Sequence, residues 1–429
     1  MLRRPADRRR DNHAARRIPV SLTEEIKAHA ASLGFDLAGV TSADPPRHGD
    51  YYAEWVEQGL AGEMAYLRRQ IEKRQDPRKI LPNARSLVVV AMNYRCPDPD
   101  PGSGMQAGTP EDTPDRSPGS TPEDSPESTP CRTPHGSLGA TPRGKIARYA
   151  RGDDYHDVIK EKLLALLRFV QDRAGRPVEG KVYVDTGPVL EREFAVRAGL
   201  GWFGKHTNLI HKRVGSWLLI GEILLDIELD SDRPAADHCG TCTLCLEACP
   251  TDAIVEPYVV DSRRCISYHT IELKGAIPLE YRAAMGDRVF GCDDCQDVCP
   301  WNRSAPETGD PAFVARPWNE MPDLIEMLGL TPEAFRTRFK GSPVKRTKRR
   351  GLLRNAAVAL GNTKDPGAVP ALADSLGDDE PLVRGHAAWA LGNVGGDRAL
   401  AELEKARKTE VDPWVVEEID RALAECEAS

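Results

Sequence analysis

The sequence lacks a long apolar run. No stretch of about 18 uncharged apolar residues occurs in the 429-residue chain, so we expect no membrane-spanning helix. The longest apolar run covers residues 217–225, and Glu222 interrupts it. Seven arginines lie within the first 17 residues, but no apolar segment follows them, which excludes a secretory signal. We therefore expect a cytoplasmic protein with reduced thiols.

A large excess of positive charge is also missing. Lys and Arg number 58 against 66 Asp and Glu, a net charge of −8, which argues against a uniformly basic surface but allows a local basic patch. The hydrophobic content of 40% is slightly low, and the deficit has two locations. Residues 1–19 form a basic, polar stretch, and residues 97–143 hold 11 of the 34 prolines. Such segments cannot bury enough surface to offset their ordering entropy, so we predict a disordered tail and a disordered insertion.

Helical and strand patterns alternate between residues 20 and 230. Ser21 and Glu24 form a capping box for the first helix. The predicted elements are helices at 21–34, 154–173 and 189–198 and strands at 35–40, 86–94, 181–185 and 216–229. This alternation predicts a layered α/β domain, into which the segment 97–143 is inserted.

The last part of the chain, residues 311–429, is predicted to be helical. The tetrapeptide Ala-Leu-Gly-Asn at 359–362 recurs at 390–393, a spacing of 31 residues. A period near 30 with two amphipathic helices per unit is typical of HEAT-like repeats. Two units are few, so we expect them to pack against the preceding domain.

Most of the 11 cysteines lie in two runs within residues 231–310. One run is Cys-x2-Cys-x2-Cys-x3-Cys-Pro and the other Cys-x2-Cys-x3-Cys-Pro, with Cys265 upstream of the second. In bacterial two-cluster ferredoxins the fourth cysteine of each run ligates the other [4Fe–4S] cluster. The first predicted ligand set is therefore Cys239, Cys242, Cys245 and Cys299. The second predicted set is Cys249, Cys265, Cys292 and Cys295.

Zinc is the metal alternative, but structural zinc sites usually divide their ligands into two separated pairs, which this spacing does not. Cys96, Cys131 and Cys426 remain, and we interpret them as ordinary thiols. Two clusters indicate electron transfer without indicating what is reduced. An electron-carrier or scaffold module without chemistry of its own is therefore one hypothesis.

Two further features lie between residues 185 and 208. Gly199–Gly204 matches G-x-G-x-x-G, but a helical segment precedes it, so we do not assign a dinucleotide site. The backbone N–H groups beside Lys205, His206 and Asn208 could bind a phosphate or an amide-rich cofactor. The alternative is a glycine-rich turn that binds no ligand. Asp185 ends a predicted strand, where an apolar cleft would raise its pKa and make it a general acid. The alternative is a helix-capping aspartate.

The chain resembles the epoxyqueuosine reductases. The segments that carry the resemblance are residues 74–94, 149–159, 184–210, 215–225, 261–272, 291–302 and 352–362. They are collinear and cover residues 20–96 and 144–425. The resemblance implies a multidomain α/β protein with a nitroreductase-like cobalamin-binding α/β domain, a two-[4Fe–4S] ferredoxin-like domain and C-terminal HEAT-like repeats.

The resemblance also implies the chemistry. The clusters would pass electrons singly to base-off cobalamin, and Asp185 would donate a proton as epoxyqueuosine in tRNA is reduced to queuosine. Ile159 replaces the glycine of the Asp-x-His-x-x-Gly signature, so His156 is not assigned as a cobalt ligand. The implied corrin contacts are Arg74, Asn208, Leu209, Ile220 and Ser267.

A basic run near residues 340–350 is the expected tRNA contact, because each cation near a phosphate adds affinity by counterion release. The assigned residues are Lys345, Arg346, Lys348, Arg349 and Arg350. We expect a monomer that uses an unidentified electron donor. The alternative function is a related corrinoid iron–sulfur reductase, similar to reductive dehalogenases, that acts on a small molecule and leaves the basic run idle.

Overall fold

The computed structural model describes residues 21–96 and 141–428. The predicted disordered tail, Cys131 and nearly all of the predicted insertion lie outside these ranges. The insertion ends earlier than predicted, because residues just before 144 are already paired. The backbone N–H of Leu324 donates to the carbonyl of Pro142, and Arg143 forms a β-bridge with Asp323.

A four-stranded sheet lies at the centre of the amino-terminal part. In chain order, the strands of the described residues are β1 (Leu37–Ser42), β2 (Ser86–Asn93), β3 (Lys145–Ile146), β4 (Gly180–Tyr183), β5 (Trp202–Phe203), β6 (Leu209–Ile210), β7 (Leu218–Leu225), β8 (Ile254–Glu256), β9 (Val259–Val260) and β10 (Arg288–Phe290). The central sheet has the order β1-β2-β7-β4, and every pair of neighbours is antiparallel.

Helices cover both faces of this sheet. In chain order, the first are α1 (Leu22–Ser32), α2 (Gly49–Glu57), α3 (Ala65–Arg68), α4 (Ile71–Gln75), α5 (Tyr155–Arg173) and α6 (Glu191–Arg197). The predicted capping box is present, since the Ser21 side chain accepts from the Glu24 amide. Strand β2 is buried along its whole length. Val88 and Val90 pack toward α1 and α5, while Leu87 and Val89 pack toward α6.

The layered α/β architecture matches the prediction, but the strand direction corrects one inference. Asp185 was placed at a ligand crevice by a rule for parallel sheets, and this sheet is antiparallel. Alternation of helices and strands along a chain does not determine the direction in which the strands pair. Here the connections between the strands of the central sheet bring the chain back so that every pair of neighbouring strands is antiparallel. Asp185 does follow β4 by two residues, and its position depends on that turn.

The cysteine-rich segment pairs with the stretch of chain that follows residues 97–140. Its helices are α7 (Leu244–Glu247), α8 (Ile266–Ile271), α9 (Leu279–Arg282) and α10 (Asp294–Asp297). Strand β3 pairs in parallel with β10 rather than with the central sheet. The chain on the carboxyl side of residues 97–140 therefore ties the α/β part to the segment that carries the cysteines.

The remaining helices stack in pairs, as the HEAT-like pattern predicts. They are α11 (Pro317–Glu320), α12 (Leu324–Leu328), α13 (Pro332–Arg338), α14 (Lys348–Thr363), α15 (Val369–Ser375), α16 (Pro381–Val394), α17 (Asp397–Arg407) and α18 (Pro413–Ala428). The repeated glycines mark helix contacts: a Cβ at Gly361 would lie 2.8 Å from Cα of Ala390, and one at Gly392 would lie 2.8 Å from Cα of Ala422. No described helix is both long and apolar enough to cross a membrane.

The stacked helices pack on the cysteine-rich segment through one continuous apolar cluster. Arg354 of α14 is fully buried and donates to the backbone carbonyls of His269, Leu273 and Gly275. Its charge is thus satisfied by peptide oxygens from the neighbouring segment. The two units do lean on the preceding part of the chain, as their small number led us to expect.

A buried ion pair also joins the stacked helices to the cysteine-rich segment, and its removal is expected to destabilise the protein. Arg282 donates two hydrogen bonds of 2.8 Å to Glu418, and the two side chains are 2% and 4% exposed. Loss of Arg282 leaves buried Glu418 with only the 3.2 Å contact of Arg421, so Arg282→Met should lower the free energy of unfolding by at most about 3–5 kcal/mol. Urea denaturation measures this.

The matched control is the exposed pair between Lys405 and Glu402, in which the lysine is 80% exposed. Lys405→Met should change stability by less than about 1 kcal/mol. Equal effects of the two substitutions would show that the Arg282 contact contributes nothing special.

Candidate functional site

A cavity of about 370 Å³ lies between the α/β part and the cysteine-rich segment. One wall is apolar and includes Leu218, Leu219 and Ile220 of β7. The opposite wall comes from the loops and short helices that carry the second cysteine run. A cavity of this kind, mostly apolar with a few polar groups, is typical of ligand sites.

All four cysteines of the second predicted set line this cavity: Cys249, Cys265, Cys292 and Cys295. Burial raises the pKa of the Cys295 thiol, and charges on Cys292 and Cys265 raise it further. The sulfur atoms are therefore crowded together away from solvent. Such a group is stable as thiolates only beside a strong positive charge, which cluster iron would supply.

The first predicted set converges as well. Burial raises the pKa of the Cys245 thiol to about 11, and charges on the other three members add to the rise. These are Cys299, Cys239 and Cys242. Cys299 comes from the second run but lies near the cysteines of the first, as the predicted exchange of fourth cysteines requires. Cys239, Cys242, Cys245 and Cys299 do not line the cavity, unlike the second set.

Within residues 21–96 and 141–428 no three His, Cys, Asp or Glu side chains close on one point as they would around a single metal ion. A cube of four irons holds its thiolates further apart than one ion does. The two converging sets of four cysteines thus fit [4Fe–4S] clusters better than zinc.

Asp185 lines the same cavity in a strained backbone conformation, with φ of +56°. The Tyr155 hydroxyl donates to its Oδ2 at 2.8 Å, and Nε2 of His156 lies 3.5 Å from that oxygen. This second distance is that of an ion pair rather than of a hydrogen bond. Nδ1 of His156 in turn lies 2.8 Å from Oδ1 of Asp154, which also caps α5.

These contacts correct the predicted pKa of Asp185. Burial raises the pKa of this carboxyl, but the contacts from His156 and Tyr155 outweigh burial and hold it below its ordinary value. Burial lowers the pKa of His156, yet its contacts with Asp154 and Asp185 raise it to about 9. The Asp185 side chain is 53% exposed where it lines the cavity. Near neutral pH the proton of this pair therefore resides on His156.

A second cavity, of about 810 Å³, adjoins the first. Both are lined by Tyr149, Tyr155 and Asp185. The second is also lined by Lys160, Lys345, Arg346 and Lys348, beside the carboxylates of Asp154, Asp157 and Glu272. The structure thus brings three of the five predicted tRNA contacts to the opening above Asp185.

The other two predicted tRNA contacts line neither cavity. Arg349 donates to Asp378 at 2.6 Å and to the carbonyl of Leu330, so its guanidinium is used inside the helical part. Arg350 is exposed. Arg346 is different again, because it donates to Glu272 at 2.7 Å and lies over the ring of Tyr66 at the cavity edge.

Three of the five predicted corrin contacts line the first cavity, namely Asn208, Ile220 and Ser267. Leu209 is buried in the apolar layer beneath α6 and does not line it. Arg74 is also buried and lies over the ring of Tyr52, outside the cavity wall.

The glycine-rich segment forms a β-hairpin rather than a dinucleotide site. Strands β5 and β6 pair in it, and no helix follows. A Cβ at Gly201 would lie 2.1 Å from the carbonyl oxygen of Ile210, so the strands approach too closely for any side chain. In the connecting turn, His206 lines the cavity with no partner for its Nε2, and burial lowers its pKa to about 4. It is a neutral imidazole.

Sequence reasoning missed two carboxyls: Glu191, which is half-buried with its Oε1 buried, and Glu222. Glu191 begins α6 and lines the first cavity, while Glu222 lies within β7 and is fully buried. A signal for Glu222 was present, because it is the one charge in the longest apolar run. Tyr155 was missed too, since nothing local indicates that it faces Asp185.

The fold and the two cysteine sets define a double-cluster iron–sulfur oxidoreductase with helical repeats. Sequence models of known families match three parts of the chain: the 4Fe-4S double cluster binding domain at residues 238–302, HEAT repeats at 348–424, and the domain described as "Epoxyqueuosine reductase QueG, DUF1730" at 122–186.

Relatives match almost the whole chain. The epoxyqueuosine reductase of Xanthomonas campestris is 38% identical over 89% of this chain and 98% of its own length, and that of Escherichia coli is 36% identical over 86% and 89%. A crystal structure of epoxyqueuosine reductase with an epoxyqueuosine-modified tRNA-Tyr stem loop superposes with a TM-score of 0.82, at 32% identity, over 95% of this chain and 99% of that one. The chain belongs to the epoxyqueuosine reductase family.

Proposed function

We propose that this protein reduces epoxyqueuosine to queuosine in the anticodon loop of tRNA, the last step of queuosine biosynthesis. The observation that carries the proposal is the continuity of the site. Asp185 lies where a cavity lined by four cysteines of the second predicted set meets a second cavity whose lining includes Lys345, Arg346 and Lys348. Electrons can enter from one side and a polyanionic substrate from the other.

Cobalamin in the base-off form is the cofactor we propose for the first cavity. A corrin has apolar faces and an amide-bearing rim, and the cavity offers an apolar wall at Ile220 with polar groups at Asn208 and Ser267. The unpartnered Nε2 of His206 is a further group for a rim amide. When bound, cobalamin would supply a metal centre that accepts single electrons from the clusters and reduces the epoxide carbon. His156 is already engaged with carboxylates, which agrees with leaving it out of the cobalt ligands.

The proton comes from the chain. In the proposed reaction the epoxide oxygen must be protonated as its carbon bond breaks, and Asp185 is the group that faces the cavity there. Because Asp185 and His156 form an ion pair at 3.5 Å, we treat them as one proton-holding unit. Tyr155 fixes the carboxylate orientation through its 2.8 Å hydrogen bond.

The second cavity is suited to a nucleotide that has left its stack. Enzymes that act on a base must extrude it or bind it single-stranded, because its reacting atoms are inaccessible within a stack. Lys345 and Lys348 line the entry to Asp185, so we assign them to phosphate contact. Arg346 and Arg349 are left out, because each already donates to a carboxylate of the chain.

Charge removal in this cavity tests the RNA substrate. The double variant Lys345→Gln/Lys348→Gln should bind an epoxyqueuosine-modified stem loop about tenfold more weakly and reduce the salt slope of binding by about 1.5, because two phosphate contacts are lost. Fluorescence anisotropy from 50 to 300 mM salt measures both values.

The matched control is Lys405→Gln/Lys408→Gln, which removes the same charge from the last turn and C-cap of α17, away from both cavities. It should leave the salt slope unchanged. Equal slopes for the wild type and the Lys345/Lys348 variant would favour the small-molecule reductase instead. We further propose that the protein acts in the cytoplasm as a monomer and receives electrons from a separate donor protein.

A further inference from the structure

The proposed reaction requires more protons than one acidic group carries. Conversion of an epoxide to an alkene breaks two carbon–oxygen bonds, consumes two electrons and two protons, and releases one water. The clusters would supply the electrons, and the unit of Asp185 and His156 holds one proton. A second proton must reach the departing oxygen from another group. This inference rests on the proposed function.

Glu222 is a buried carboxyl without a partner. It is 0% exposed, and neither of its oxygens has a hydrogen-bond partner among the described residues. In the sheet it stands between Val89 of β2 and Tyr183 of β4. Leu224, two residues on, packs on the α6 side, so Glu222 points toward the same layer.

Glu191 connects this carboxyl with the cavity. It is the first residue of α6, it lines the first cavity together with Asp185, and its Oε1 has no hydrogen-bond partner among the described residues. Burial raises the pKa of Glu191 above its ordinary value, and the charge of Asp185 raises it further, against smaller opposing effects of Arg192 and Arg74. Burial also raises the pKa of Glu222, to which the charges of Glu191 and Asp185 add.

We propose that Glu191, backed by Glu222, is the second proton donor of the site. Glu191 gives its proton through the cavity to the oxygen released from the epoxide, which leaves as water, or restores the proton of Asp185. Glu222 touches no substrate and is a positioning residue: it holds a proton near Glu191 and opposes the loss of both protons at once.

A structural role explains these residues poorly. A carboxyl with no partner in a β-sheet destabilises the fold, and an apolar side chain would serve the strand better. Unsatisfied buried groups of this kind concentrate at functional sites. Here Glu191 lines the same cavity as Asp185, and the charges of both affect Glu222. A role in proton transfer therefore explains why these unfavourable carboxyls are present.

Isosteric variants test the proposal. Glu191→Gln should keep both clusters but lower turnover by about tenfold to a hundredfold, because an amide cannot donate the proton. In Glu191→Gln the decline of activity at alkaline pH should begin at a higher pH than in the wild type, because Glu191 no longer titrates and only His156 and Asp185 remain. Glu191→Asp, which keeps a carboxyl, should be more active than Glu191→Gln.

Glu193→Gln is the matched control. Glu193 is a buried carboxyl on the same helix, but it contacts His48 and lines neither cavity. Its substitution should leave turnover and the pH profile unchanged. Wild-type turnover and an unchanged pH profile in both Glu191→Gln and Glu222→Gln would overturn the proposal.

Thermal melting gives a readout independent of turnover. A carboxyl whose pKa is raised in the fold contributes stability below its ordinary pKa and loses it as pH rises toward the folded-state value. Glu222→Gln should therefore melt at increasingly higher temperature than the wild type between pH 5 and pH 9. A difference that is constant with pH would contradict a neutral buried carboxyl. Wild-type protein that fails to convert the tRNA would refute the proposed function. The melting series would still test whether Glu222 is a neutral buried carboxyl.

Discussion

Asp185→Asn is expected to lower turnover of epoxyqueuosine tRNA by about 10²- to 10⁴-fold, the range lost with a general acid. The amide keeps the size of the side chain and the contact with Tyr155, but it cannot accept the proton of His156 and deliver it to the substrate. Single-turnover kinetics of the reconstituted enzyme measure the loss. Cluster content and cobalamin binding should stay at wild-type values.

Two variants separate this role from general damage. Tyr155→Phe keeps the carboxyl but removes its 2.8 Å hydrogen bond, so an intermediate loss is expected. Asp420→Asn removes a carboxyl from a surface pair with Arg407 and should be fully active. Full activity of Asp185→Asn would refute the proton-transfer role.

Removal of one cluster cysteine is expected to abolish multiple turnover. Cys292→Ala takes a ligand from the set that lines the cavity, so iron should fall from about eight to about four atoms per chain. Cys426→Ala is the control, because Cys426 belongs to neither set and lies half-buried in α18. It should retain all of its iron. Full iron content in Cys292→Ala would contradict the assignment.

The exchange of fourth cysteines between the runs gives a sharper form of this test. Cys299 follows Cys295 in sequence, but it converges with Cys239. The variants Cys299→Ala and Cys239→Ala should therefore leave the same residual cluster, recognised by one electron paramagnetic resonance spectrum. Cys249→Ala and Cys292→Ala should share the other spectrum. Pairing of Cys299 with Cys295 by this criterion would show that each run binds its own cluster.

Features set by local spacing were predictable from the sequence. The helix over 154–173, the buried strand at 86–94 and the repeated tetrapeptide depend on periodicity and caps within a few residues. The two cysteine sets were predictable for a similar reason, because the exchange between runs follows from a known spacing pattern.

Features that depend on distant neighbours were not predictable. The lowered pKa of Asp185 comes from His156, 29 residues earlier in the chain, and the ion pair that engages Arg349 comes from Asp378, 29 residues later. The antiparallel direction of the sheet depends on how long connections return the chain. Glu222 was predictable only in part. A charge within the longest apolar run is unusual in a sequence, but a function for it is suggested only by the nearby Glu191 in the structure.

The most direct measurement of the central claim is anaerobic reconstitution of the full chain with iron, sulfide and cobalamin, followed by incubation with a strong reductant and epoxyqueuosine-bearing tRNA. Nucleosides are then released and read by mass spectrometry. The account predicts a loss of 16 mass units from the modified nucleoside, as epoxyqueuosine loses one oxygen atom and becomes queuosine, and no conversion when either cobalamin or the reductant is omitted. Unchanged epoxyqueuosine in the presence of both full clusters and bound cobalamin would contradict it.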